Sequence, residues 1–256
     1  MDHSVKTELQ ERYYLLDAVR GVCILGMIIY HTLFDVVAFF GVEISYSMLN
    51  FINMIRDFGA CCFIALAGIC IHFGKRPLKR AMTISVAGLI VSAVTFIAMP
   101  ELPIIFGILT FMGAASFLMI PMKRFLEKLP AGISAVLCFI LFLLTFNLTK
   151  HCLGFYSLEF LPLPEFLYRN YLTAFFGFPF YGFASSDYYP VFPWIFMFLF
   201  GFFLWPVMKK SRMILKLLSF RLRFFEKIGR VSLYIYMIHQ PVILGILMLI
   251  SLMIGG

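Results

Sequence analysis

LDAVRGVCILGMIIYHTLFD, residues 16–35, reads as one long apolar helix carrying a polar stripe. Arg20 and His31 enclose ten residues, and Asp35 follows His31 by one helical turn. On an α-helix Arg20 and His31 fall about 20° apart around the axis and ~16 Å apart along it. Asp17 and Asp35 fall inside the same arc of roughly 60°, so four polar side chains share one face. The stretch is long enough to enter and cross a bilayer. Ionisable groups at that depth are costly, and are retained mainly where they face a protein interior engaged in chemistry or transport.

The rest of the chain agrees with a membrane setting. Of 256 residues 62% are hydrophobic and only 13% charged, and the mean hydropathy is +0.96. A soluble domain cannot hide that much apolar surface, so the expectation is an all-α polytopic membrane helical bundle. Residues 1–12 are polar and the apolar run after them lacks a small-residue cleavage site. The first segment is therefore expected to stay as a membrane helix rather than be removed as a signal peptide.

Seven apolar stretches can span the hydrocarbon, near residues 15–40, 57–73, 80–99, 104–121, 131–148, 190–208 and 231–254. Gly and Pro mark the breaks, among them Gly41, Pro77, Pro100, Pro121, Pro130 and Pro190. The net charge of +8 falls almost wholly in alternate loops: Lys75 to Arg80, Lys123 to Lys128, and Lys209 to Arg230. That is the pattern of the positive-inside bias, and no nucleic-acid partner is needed to explain it. It places the amino terminus inside and the carboxyl terminus outside. A single domain over 1–256 then has a cytoplasmic tail at 1–14, an external loop at 149–189 and a basic cytoplasmic loop at 209–230. No internal repeat is evident, which argues against an inverted-repeat transporter.

The loop 149–189 is rich in Phe, Tyr, Gly and Pro. A connection of that length suits a substrate-facing lid, with an interfacial or re-entrant helix but not a full span. Asn147-Leu148-Thr149 matches a glycosylation sequon but abuts the membrane. The six cysteines form no disulfide or zinc framework; Cys23, Cys61, Cys62, Cys70 and Cys138 read as small apolar packing.

Few residues are left to carry chemistry. His31 with Asp35 at i+4 can share a hydrogen bond that orients the ring and raises its basicity. Such a His can take a proton from a hydroxyl or amine, or can carry an acyl group; the alternative is a buried network tying helices together. Asp17 and Arg20 read as an ion pair, either structural or facing a site for an anionic donor. His239, with Gln240 and Pro241 beside it, lies about eight residues into the last span. It either lines a cavity near a Pro kink or makes an interhelical hydrogen bond. Asp57 and Asp187 each open a span, where the helix dipole alone explains a negative charge. A metal site from His31, Asp35, Asp57 and Asp187 lacks any ligand spacing, so no metal is expected. No P-loop, GxGxxG, HExxH or GxSxG is present, and His31 and Asp35 are too close for HxxxxD.

Four segments carry a resemblance. LDAVRGVCILGMIIYHTLFD at 16–35, FGILTFMGAASFLM at 106–119, DYYPVFPWIFMFLFGFFLW at 187–205 and GRVSLYIYMIHQPV at 229–242 resemble bacterial relatives of heparan-α-glucosaminide N-acetyltransferase. The Arg-x10-His of the first helix is also similar to membrane acyltransferase family 3, in which that His is regarded as catalytic. The loop His that serves the heparan enzyme has no counterpart at 41–56, so the likeness assigns that role to His31.

The resemblance implies transfer of an acyl group, acetyl above all, across the membrane. Acetyl-CoA or another acyl-CoA would be a co-substrate from the cytoplasmic side, with no permanently bound cofactor, and a sugar or glycan would accept outside. His31 and Asp35 would be catalytic. Arg20, Asp17, His239 and Gln240 would lie on the acyl-CoA side, and Asp187, Asp57 and Trp194 on the acceptor side. A bacterial plasma membrane is the implied location. The competing expectations are a carrier or channel for a small solute using the His31 and His239 cavity, and a non-catalytic membrane subunit.

Overall fold

The computed structural model describes residues 13–101 and 103–254. Residues 1–12 of the expected tail lie outside them. The long helices are α1 (Tyr14–Phe40), α2 (Tyr46–Ile69), α3 (Pro77–Ala98), α4 (Ile108–Leu126), α5 (Ala131–Thr145), α7 (Val191–Met208) and α10 (Ser232–Ile254). Each lies in a segment long and apolar enough to cross a membrane. The protein is thus an all-α polytopic membrane protein, with seven candidate spans among the described residues. Between α5 and α7 lie a hairpin, β1 (Cys152–Phe155) and β2 (Leu158–Pro162), and the short helix α6 (Tyr171–Phe176). Between α7 and α10 lie α8 (Arg212–Leu218) and α9 (Arg223–Arg230).

Local chemistry sets most of the boundaries. Gly41 ends α1 with φ 61°, ψ 31°, the left-handed cap that glycine adopts without a Cβ penalty. Pro77 opens α3, where its missing N–H is not needed. Two expectations fail. Pro121 does not end α4, which continues to Leu126; inside a membrane protein the freed backbone groups can be satisfied locally. And α2 begins at Tyr46, eleven residues before the expected start at 57. The loop 209–230 holds the two short helices α8 and α9.

The chain divides into two units. The first comprises residues 1–63 and 208–256, the second 64–207. In the first, α9 lies directly against α1. A Cβ on Gly21 would overlap the Phe225 carbonyl oxygen, and one on Gly229 would overlap that of Asp17. Only glycine permits this backbone approach, the small-residue packing typical of membrane helices. α10 also packs on α1.

In the second unit the last turn of α2 meets α7 in the same manner, at Gly68 and Gly201. The hairpin pairs antiparallel with a bulge between Leu153 and Gly154. Asn147 is wholly buried, and its Nδ2 donates to the carbonyls of Tyr156 (3.0 Å) and Leu158 (3.4 Å). The amide that would accept a glycan therefore closes the hairpin turn. Asn170 and Thr173 form a capping box that starts α6. Burial pushes the Tyr168 hydroxyl up to about 12. That hydroxyl donates to the Leu148 carbonyl at 2.7 Å.

Candidate functional site

His31 and Asp35 lie in the fifth and sixth turns of α1, on the face that meets α10. Asp35 is buried and its Oδ2 accepts from Gln240 Nε2 at 2.8 Å. This differs from the expected His31–Asp35 pair: among the described residues the Asp35 hydrogen bond goes to Gln240. The ring of His31 instead lies 5.1 Å from that of His239, centroid to centroid, and 5.4 Å from that of Tyr30. His239 is buried, and its Nδ1 lies 2.6 Å from the Tyr236 carbonyl oxygen. A carbonyl only accepts, so Nδ1 carries the proton and Nε2 is the basic nitrogen of the neutral ring. That bond runs within α10 rather than between helices. Pro241 stands inside α10, which continues through it.

A second polar group adjoins His31 through Tyr30. The Tyr30 hydroxyl donates to Asn53 Oδ1 at 3.3 Å and accepts from Arg56 Nη1 at 3.1 Å. The Arg56 guanidinium also lies 5.4 Å from the Tyr30 ring centroid, within cation–π range. Arg56 pairs with Asp57, Nη2 to Oδ1 at 2.8 Å. Arg56 and Asp57 sit in the fourth turn of α2, so the helix-end explanation expected for Asp57 does not hold; the first turn of α2 has no acidic residue. Tyr30 and Asn53 were not singled out from the sequence. Their signal was weak: a phenol inside the first apolar span, and an amide in a stretch read as loop.

The other end of the stripe meets α9. Arg20 Nη1 donates to Asp17 Oδ1 at 3.3 Å, and Arg230 lies 3.7 Å from Asp17 Oδ2. Glu226, only 1% exposed, accepts from Arg221 Nη2 at 3.1 Å and Arg230 Nη2 at 3.4 Å. The Arg221 hydrogen bond, aided by the charges of Arg221 and Arg230, holds the Glu226 carboxyl below the usual range despite its burial. The Arg221 guanidinium stacks 4.2 Å from the Tyr14 ring centroid. The stripe thus faces α9 at Asp17 and Arg20, and α10 at His31 and Asp35. Fixed charge is concentrated at the first end, and the two imidazoles at the second.

Asp187 and Trp194 belong to the second unit. Asp187 precedes α7, and its Oδ2 accepts from Ile108 N at 3.4 Å, at the start of α4. The backbone beside it runs along 103–106, with Ser186 N to Pro103 O at 3.1 Å and Tyr189 N to Phe106 O at 2.9 Å. Ser185 Oγ donates to the Ile105 carbonyl and accepts from its N–H, both at 2.9 Å. Trp194 is buried against Phe142, Phe146 and Tyr189. The Tyr188 hydroxyl donates to the Ala174 carbonyl, and burial raises its pKa. These contacts give Asp187 and Trp194 structural work at the start of α4 and α7.

The described residues contain no group of three or more His, Cys, Asp or Glu able to hold a metal ion. The first unit offers acid–base chemistry instead: a histidine with an assigned basic nitrogen, a second imidazole beside it, and a carboxylate held by an amide. A family model described as heparan-alpha-glucosaminide N-acetyltransferase, catalytic, matches residues 12–241. No curated protein and no solved structure matches the chain.

Proposed function

The chain belongs to the heparan-alpha-glucosaminide N-acetyltransferase catalytic family, and from that premise we propose that it moves an acetyl group from acyl-CoA to a sugar or glycan on the opposite side of the membrane. The family makes it a transferase of the membrane. The donor, the acceptor and the residues that act are our reading, and so are an inward amino terminus and a bacterial plasma membrane.

The observation that carries the reading is the pair His31 and His239, 5.1 Å apart beside the Asp35–Gln240 hydrogen bond. In the direct route an acceptor amine or hydroxyl attacks the thioester carbonyl carbon. The new C–N or C–O bond forms, the C–S bond breaks, and the acceptor's proton passes through an imidazole to the leaving thiolate, giving CoA thiol. Proton transfer by a positioned His contributes typically 10²–10⁴-fold. In the two-step route a His31 ring nitrogen attacks the thioester carbonyl, the C–S bond breaks and CoA leaves as the thiol with the imidazole proton; the acceptor then displaces the imidazole from the acetyl group and its proton returns to the freed ring nitrogen. The routes differ in whether labelled acetyl-CoA leaves label on the protein when no acceptor is present. Arg20 lies at the far end of the stripe and would favour the anionic donor.

The test is transfer from labelled acetyl-CoA to cell-surface glycan in membranes containing His31→Ala protein. The reading predicts a loss of at least about 100-fold. Transfer at the wild-type level overturns the assignment to His31.

A further inference from the structure

Gln240 has an amide with one end engaged and the other open. Nε2 donates to Asp35 Oδ2 at 2.8 Å, and a carboxylate only accepts, so the orientation of the amide follows from chemistry. Oε1 is then directed away from Asp35. It is buried and has no hydrogen-bond partner among the described residues. A buried carbonyl oxygen without a donor is costly, and such atoms call for a missing partner.

We propose that Gln240 Oε1 binds an N–H or O–H donor of the bound reactant, so that Gln240 both fixes Asp35 and selects a donor-bearing ligand. This rests on the acyltransferase reading and adds a binding residue to it. Two reactants carry such a donor: the acceptor, through its amine or hydroxyl, and acyl-CoA, through the amide N–H groups of its pantetheine arm.

The experiment uses the purified full chain. CoA and adenosine 3′,5′-bisphosphate, which lacks pantetheine, are titrated by calorimetry, and the KM for glucosamine is measured with acetyl-CoA as donor. Gln240→Met keeps the length and removes both polar atoms. If the pantetheine amide is the source, CoA binds about tenfold more weakly and the bisphosphate is unchanged. If the acceptor is the source, the glucosamine KM rises about tenfold and CoA binding is unchanged.

The double variant Asp35→Asn/Gln240→Glu reverses the polarity of the helix-to-helix hydrogen bond but keeps an acceptor oxygen at position 240. It is expected to recover the affected constant to within about threefold of wild type. Affinities and KM within twofold of wild type in Gln240→Met would overturn the proposal. So would a folded double variant that recovers nothing. If Gln240→Met does not purify folded, Gln240→Lys, whose amine still donates to Asp35 but offers no acceptor, takes its place under the same criteria. A wild-type protein that neither binds CoA nor transfers acetyl overturns the acyltransferase reading itself; a normal wild type with an unaffected Gln240→Met overturns only the Gln240 assignment.

Discussion

Gly229→Ala offers a prediction whose sign, not only size, is diagnostic. In a helix freely exposed to its surroundings, replacing Gly by Ala stabilises by roughly 1 kcal/mol, because Ala is the better helix former. At Gly229 the added Cβ would overlap the Asp17 carbonyl oxygen, and that atom is backbone in the middle of a helical turn of α1. No rotamer change relieves the clash. α9 must withdraw from α1 by on the order of 1.5 Å to restore ordinary van der Waals contact. Overpacking of this kind costs about 3 kcal/mol, so the net loss is roughly 2 kcal/mol after the helix-propensity gain. For a chain of this size that lowers Tm by about 4–8 °C. Gly26 supplies the control. It lies in α1 with nothing within 4 Å of a built Cβ, so Gly26→Ala is expected to hold or raise Tm. The assay is thermal unfolding of the purified wild type and both variants in one detergent. A Gly229→Ala protein as stable as Gly26→Ala refutes the close approach of α9 and α1.

Glu226→Gln is expected to abolish a pH dependence. Because the folded carboxyl titrates below its ordinary value of 4.5, its stabilising effect is complete above that value and is lost as pH falls through the folded pKa. Tm curves of wild type and Glu226→Gln should therefore converge below about pH 4; parallel curves from pH 7 to pH 3 contradict the account. Asn147→Ala removes both hydrogen bonds to the hairpin turn and is expected to cost about 1–3 kcal/mol, read as a lower Tm and faster proteolysis within 149–162. Arg20→Ala should raise the KM for acetyl-CoA severalfold while leaving the acceptor KM within twofold; the reverse pattern contradicts the placement of the donor.

The spans were legible because each is a long apolar run, and the stripe because 3.6-residue periodicity gathers Asp17, Arg20, His31 and Asp35 on one face. The start of α2 was not. Ser47, Asn50, Asn53 and Arg56 dilute its hydropathy, and the partner of Asn53 and Arg56 is Tyr30, more than twenty residues away. The hydrogen bond between Gln240 and Asp35 joins residues 205 positions apart, and no local pattern announces it. His31 followed by Asp35 at i+4 suggested a pair, but the same spacing serves a carboxylate turned toward another helix. The hairpin was missed because β2 is exposed along its length and has no alternation to read. Asp187 reads from the sequence as opening the sixth span; its side chain accepts from Ile108 N at the start of α4, a contact that only tertiary structure shows.

The central claim is that this membrane protein uses acyl-CoA, and equilibrium binding of CoA to the purified full chain tests it most directly. The account predicts saturable binding, weakened in Arg20→Ala and retained in His31→Ala, whose defect lies in transfer. Absence of saturable CoA binding by folded wild-type protein would contradict it.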